Sequence, residues 1–258
     1  MCLIAFSIGQ HPEYPLVVAA NRDEFFRRPT AGMTWWQASP GSEVLAGRDL
    51  LSGGTWLAVS RHGEIAAVTN VREGSAEPGH TSRGELPLRA LSQPGDALQQ
   101  QLSEQRSAYA GFNLIHLDER NGWYFSNRDA HPGRRLYRGT YGLSNHLLQS
   151  PWPKLLRLRD AMTRALKSAP TTDPDTLHHT LLMLLQDTTP APDRELPDTG
   201  IGLDTERFLS SPFIVGSDYG TRATTIVTIS RGGEIRVTEQ SWLPMGKTGE
   251  QRQFCWQR

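Results

Sequence analysis

The run Cys2-Leu3-Ile4-Ala5-Phe6-Ser7-Ile8, the run Leu16-Val17-Val18-Ala19-Ala20 and the tetrad Asn21-Arg22-Asp23-Glu24 that follows it decide how this sequence folds. Both apolar runs are short and rich in strand formers. The turn-forming segment His11-Pro12-Glu13-Tyr14-Pro15 lies between them, so they predict an N-terminal β-hairpin. The abrupt change from five apolar residues to four polar ones marks a strand emerging at a sheet edge or at a site. Strand side chains alternate, so Asn21 and Asp23 share one face, and Arg22 and Glu24 the other, unless a bulge intervenes. A solvated turn carrying an Arg/Glu surface pair has the same pattern.

Outward from that hairpin, Thr55 to Ser60 and Glu64 to Thr69 read as a second hairpin, with Gly53-Gly54 and Arg61-His62-Gly63 as turns. A Gly/Pro/Ser/His-rich loop is expected over 74–81. Helical composition follows from Gly84 to Gln105, interrupted at Pro94-Gly95. Strands are expected over 113–117, 122–126, 135–137 and 141–144. The stripe Leu155, Leu158, Met162, Leu166 then predicts a helix over 153–169, and Asp173-Pro174 caps a second through Leu177, Leu181 and Leu185. Residues 187–205, with several Pro and Asp and little periodicity, read as a long surface loop able to lie over a site. Strands over 224–229 and 234–239 close the chain. Antiparallel hairpins at both ends with helices between them argue for an α+β layered domain rather than a parallel α/β sheet.

Bulk properties bound the function. The 258 residues carry 27 basic and 27 acidic side chains, so no net field favours nucleic acid or an anionic membrane face. No apolar stretch reaches the roughly 20 residues that a spanning helix needs, and the first residues do not read as a signal peptide. The expectation is a soluble cytoplasmic protein that binds a small molecule, without nucleic acid and without an integral membrane segment. The two cysteines, Cys2 and Cys255, form neither a disulfide framework nor a metal-binding pair, and phosphate-cradling glycine motifs are missing.

Cys2 is the residue with the clearest chemistry. Removal of Met1 would leave a cysteine that carries both a thiol and a free α-amine. An α-amine of pKa about 7.7 to 8.0 can accept the thiol proton near neutrality with no histidine. The same residue type is also a common small core hydrophobe, and both readings stand on pattern alone.

Several further blocks occur in order: Gly47-Arg48-Asp49 then Gly53-Gly54-Thr55-Trp56, Val68-Thr69-Asn70-Val71-Arg72, Ser82-Arg83-Gly84, Leu143-Ser144-Asn145-His146 before Pro151-Trp152-Pro153-Lys154, and Tyr219-Gly220-Thr221-Arg222. With Met1-Cys2 and the tetrad 21–24, they make the chain resemble the NRDE family, the transport-and-Golgi-organisation type two family. The resemblance implies a single family domain over 1–258. Its implied fold is the four-layer αββα sandwich of N-terminal nucleophile hydrolases, two mainly antiparallel sheets flanked by helices, similar to choloylglycine hydrolases and penicillin V acylases. By position it implies that Asp23 orients the α-amine of Cys2 and that Asn145 and the Asn70 segment donate to an oxyanion. Arg222 would support the thiolate or a substrate carboxylate. These hydrolases carry arginine where this chain has Ala20, with Arg22 two positions further on. Arg22 is expected to reach the thiol if the strand kinks.

Trp56 and Asn21 are expected at the ligand pocket, and Trp36, beside Trp35 in a loop after Pro29, at its lip. A hairpin turn followed by a core Trp, and loop aromatics closing a core edge, are the plain alternatives. His62, His80, His116 and His146 have no diagnostic spacing. His178-His179 lies on a predicted helix with one ring expected in solvent, and no metal site is expected. Two functions follow. One is a cysteine hydrolase or acyltransferase acting on amide or thioester bonds, with no cofactor. The other is a non-enzymatic carrier of haem or of acyl-CoA or lipid, which the family association implies.

Overall fold

The computed structural model of the protein describes residues 2–39, 41–74, 79–168 and 173–258. The first half contains β1 (Cys2–Ile8), β2 (Leu16–Phe25), β3 (Thr30–Ser39), β4 (Ser42–Asp49), β5 (Leu57–Ser60) and β6 (Ile65–Asn70), then α1 (Leu86–Ser92) and α2 (Gly95–Glu104). Next come β7 (Phe112–Leu117), β8 (Gly122–Ser126), β9 (Gly133–Leu136) and β10 (Gly139–Leu143). Helices α3 (Pro153–Ser168), α4 (Pro174–Leu185) and α5 (Leu203–Phe208) precede the closing strands β11 (Tyr219–Ile229), β12 (Glu234–Leu243) and β13 (Lys247–Gln257).

The strands form two antiparallel sheets, ordered β10-β1-β2-β11-β12-β13 and β3-β4-β5-β6-β7-β8-β9. Alternation along β1 and β2 explains the layering. Ile4, Phe6, Leu16 and Val18 project between the sheets and meet Leu45, Leu57, Ile65 and Ile115 of the second sheet. Leu3, Ala5, Val17 and Ala19 project the other way and meet the apolar stripes of α3 and α4. On the far side α1 and α2 cover the second sheet through Leu86, Leu98 and Leu102. The result is the expected αββα sandwich. A strand with both faces buried has no polar face, which is why β1 reads as one apolar run.

The hairpins 2–25 and 57–70, the helix break at Pro94 and the cap at Asp173 appear as expected. The Asp173 carboxylate accepts from the Thr176 N–H. Part of the expected loop 74–81, at 75–78, and the end of the expected helix at 169 lie outside the described residues, as does Met1. Two expectations are corrected. Trp35 and Trp36 sit in strand β3 rather than in a loop, and Lys247–Gln257 is a strand that the sequence does not announce. Both β3 and β13 are edge strands. Paired on one side and partly exposed, an edge strand needs no apolar run, so the signal that identified β1 is missing.

Candidate active site at Cys2

In the β1–β2 pairing Cys2 lies opposite Arg22, and in the β2–β11 pairing Asp23 lies opposite Thr221. Directly paired residues point to the same side of a sheet, so Cys2 and Arg22 both project between the sheets. A displacement of two positions from Ala20 preserves the face. The kink expected for Arg22 is therefore unnecessary, because regular alternation already turns its guanidinium toward the Cys2 side.

A cavity of about 610 Å³ opens at this end of the sandwich, and Cys2, only 8% exposed, lines it. Arg22 stacks on Trp56, with the guanidinium carbon 4.2 Å from the ring centre. It also stands 3.6 Å from the Asp49 carboxylate and 3.9 Å from that of Glu24. Arg28 grips the same Asp49 oxygen at 2.5 Å. Burial works to raise Asp49, but hydrogen bonds from Arg28 and from the Ser52 and Leu51 N–H groups outweigh it and hold the carboxyl below its usual range. Burial pushes the Cys2 thiol up, and the charges of Asp23 and Glu24 add to this while Arg22 opposes it. A thiol in that state is protonated at neutral pH and needs a base.

The two asparagines expected at the site have different places. Asn70 lines the cavity, whereas Asn145 is fully buried and does not. Both donor hydrogens of Asn145 are used on Asn70, with its Nδ2 2.9 Å from Asn70 Oδ1 and 3.2 Å from the Asn70 carbonyl. Asn145 thus orients Asn70 and fixes which end of that amide is an acceptor, leaving the Asn70 NH₂ as the donor end. Thr69, which also lines the cavity, donates its hydroxyl to the Ser144 carbonyl at 2.8 Å and ties the two segments together.

Asp23 lines the cavity but belongs to the helix-facing side of β2. Its Oδ1 accepts from the Thr221 hydroxyl at 2.7 Å. Close by, Lys154 donates to the Leu209 carbonyl at 2.9 Å, and burial pulls its ammonium down to about 8 against the favourable charge of Asp23. Asn21 does not line this cavity. Its side-chain NH₂ bridges the carbonyls of Leu185 and Pro212 while its oxygen accepts from Thr224. Arg222 stands in a bulge of β11 and donates to the carbonyls of Phe25 and Arg28, so it holds the turn after β2 rather than the thiol. Trp36 is remote: it packs on the outer face of the second sheet with Val44 and Ala58 and donates to the Ala46 carbonyl.

Other contributors carried no role in the sequence reading. Helix α5 and the residue after it supply Thr205, Phe208 and Leu209 to the cavity, so the stretch 187–205 is continuous with a cavity wall. Glu206 seats that wall. It takes Arg72 at 2.5 Å on one oxygen and the Thr199 N–H and hydroxyl on the other. The signal was the Val68-to-Arg72 block, but nothing local links Arg72 to a partner 134 positions away. His178 is buried between the hydroxyls of Thr228 and Thr238, and His179 is exposed.

The sequence profile of the Transport and Golgi organisation 2 family matches residues 1–244. The Transport and Golgi organization protein 2 homolog of Bos taurus is 34% identical over 264 residues, covering 94% of each chain, and the Mus musculus homolog is 33% identical with the same coverage. This chain belongs to that family. Among solved structures, a variant of conjugated bile acid hydrolase from Clostridium perfringens superposes with a TM-score of 0.51 at 7% identity, covering 98% of this chain and 92% of that one. That likeness concerns the fold, which is of the N-terminal nucleophile hydrolase type.

For this member of the Transport and Golgi organisation 2 family, the cavity lining holds two groups of a kind that ligates haem iron. The lining groups of a kind that ligate iron are the Cys2 thiol and the Tyr219 phenol, and burial pushes both up, away from their ionised forms. Among the described residues no helix is long and apolar enough to cross a membrane.

Proposed function

We propose that this protein is an acyl hydrolase or acyltransferase acting on amide or thioester bonds, with Cys2, freed from Met1, as its nucleophile. The α-amine of Cys2 takes the thiol proton, and the sulfur attacks the acyl carbon. An S–C bond forms, the C–N or C–S bond breaks, and the leaving amine or thiol departs with that proton. Water or a second acceptor then attacks the thioester and restores the thiol. Arg22, on the same face as Cys2, supports the thiolate. The Asn70 NH₂, oriented by Asn145, is the donor for the oxyanion, and donors set in advance in a water-poor cavity act where charge develops. Asp23 positions the amine end of β1 from the neighbouring strand. Trp56 serves as a wall that keeps Arg22 in place.

The observation that supports this reading most is that Cys2 and Arg22 share one face and one cavity with Asn70. Similarity of fold to a conjugated bile acid hydrolase agrees with it. Intact-mass measurement establishes whether Met1 is removed, and the trimmed protein is then offered acyl amides and acyl thioesters of increasing chain length. The expected result is turnover with an initial burst of leaving group, reduced about a thousandfold or more in Cys2→Ala. Equal rates in the wild type and Cys2→Ala would overturn the proposal.

A further inference from the structure

Three arginines line the cavity, Arg22, Arg28 and Arg83, and they differ in how their guanidinium groups are neutralised. Arg22 and Arg28 share Asp49, and both approach Glu24. Arg83 has no ion pair among the described residues. Its one hydrogen bond runs from Nη1 to the Gly111 carbonyl at 2.8 Å. Arginine stays protonated in proteins, and a cation drawn largely out of water without a counter-ion is costly. Burial lowers Arg83 from its ordinary value, as expected of a desolvated cation. Among the described residues the acidic groups near it are engaged elsewhere, since Glu73 forks onto Arg128 through two hydrogen bonds and Glu24 stands with Arg22 and Arg28.

Arg83 is held firmly at its base. Ser82 accepts the Gly84 N–H, the Gly84 carbonyl accepts the Thr55 N–H at 2.8 Å, and a side chain at Gly54 would meet the Gly84 backbone at 2.4 Å. The segment therefore presents the guanidinium from a rigid mount. Another part of the lining is aromatic and apolar: Phe25 and Phe208 both pack on Tyr219, with ring centres 5.0 and 6.3 Å apart, and Leu209 lies beside them. Phe25 and Phe208 remain 44% and 42% exposed, so the aromatic wall is unfilled surface rather than closed core.

Resting on the hydrolase reading above for the place of the reacting bond, we propose that Arg83 is the specificity residue for an anionic head group. The substrate class is then an acyl amide or thioester that carries a carboxylate or a phosphate, its acyl part against Phe25, Phe208 and Tyr219. Guanidinium suits both anions because its fork matches their paired oxygens.

The test measures binding, so that it does not depend on turnover. The full chain carrying Cys2→Ala is titrated with N-dodecanoylglycine (carboxylate), N-dodecanoyl-phosphoethanolamine (phosphate) and N-dodecanoylglycinamide (neutral). At least one anionic amphiphile is expected to bind about tenfold or more tightly than the neutral one, and the stronger of the two identifies the head group. Added salt shrinks the difference. Arg83→Gln, which can still donate to Gly111, should abolish the preference while leaving the neutral ligand's affinity unchanged, and Arg83→Lys should retain part of it. Equal binding of charged and neutral ligands by the parent protein overturns the proposal, as does an equal loss for all three ligands in Arg83→Gln. If the Arg83 variants do not fold, the parent comparison and its salt dependence decide. Absence of turnover in Met-trimmed wild type would count against Cys2 as nucleophile and would leave this binding result as it stands.

Discussion

The two faces of the first sheet can be compared directly on β2. Toward the second sheet, Ala20, Arg22 and Glu24 continue the apolar line of Leu16 and Val18 into a cavity of opposed charges. Toward the helices, Asn21 and Asp23 end the line of Val17 and Ala19 in hydrogen bonds with threonine hydroxyls. Asn21 bonds Thr224, Asp23 bonds Thr221, and on neighbouring strands His178 bridges Thr228 and Thr238. Four consecutive residues thus serve two ends. One face presents charge to a ligand space, and the other fastens the α4 end and the Pro212 segment to the sheet. Substitution of Asn21 should change stability, and substitutions of Arg22 and Glu24 should change activity.

The largest expected effect breaks the helix-facing side. Asn21→Leu strands two carbonyls and a hydroxyl in a buried place, and a loss of about 4 kcal/mol in unfolding free energy is expected by denaturant titration. A change below about 1 kcal/mol would show that this face is not the stabilising one.

His178 sharpens the same point through pH. Burial first, and then the charge of Arg236, bring its folded value down to about 4. Its unfolded value is near the ordinary one of about 6.5, so between the two the unfolded chain binds more protons. Stability is therefore expected to fall as pH drops from about 6.5 to 4, by an amount on the order of 3 kcal/mol. His178→Gln should flatten that part of the pH–stability curve, measured by thermal or urea unfolding.

On the cavity side, Arg22→Met should lower kcat/KM about 50-fold, or about 2.3 kcal/mol, once a substrate is in hand. Stability should move by less than about 1 kcal/mol, because Arg28 still holds Asp49. A large drop in Tm with unchanged kcat/KM would reverse the division between the faces. The smallest effect is expected from Trp36→Phe, which removes one hydrogen bond on the outer face of the other sheet. It should cost about 1 kcal/mol or less and leave kcat/KM unchanged.

Much of the fold was legible in local pattern. Apolar runs that are buried on both faces identified β1 and β2, and the Leu155-to-Leu166 and Leu177-to-Leu185 stripes identified the helices that cover them. Edge strands β3 and β13 left no such mark, since half their surface meets water. For the site, the order of motifs brought forward Cys2, Asn70 and Arg22 together. It also brought forward Asn21, Arg222 and Trp36, which the chain uses to fasten backbone or to pack the far side of the second sheet.

Strand alternation depends only on the chain's own geometry, and so the separation of Arg22 and Glu24 from Asn21 and Asp23 could be stated from sequence alone. Which face meets a cavity, that Asn145 acts through Asn70, that Glu206 seats a wall by holding Arg72, and that among the described residues Arg83 has no carboxylate such as its neighbours have were decided by tertiary structure. These are relations between groups brought together by sheet stacking from positions tens to hundreds of residues apart, and no local periodicity encodes which distant charge or amide a side chain will meet.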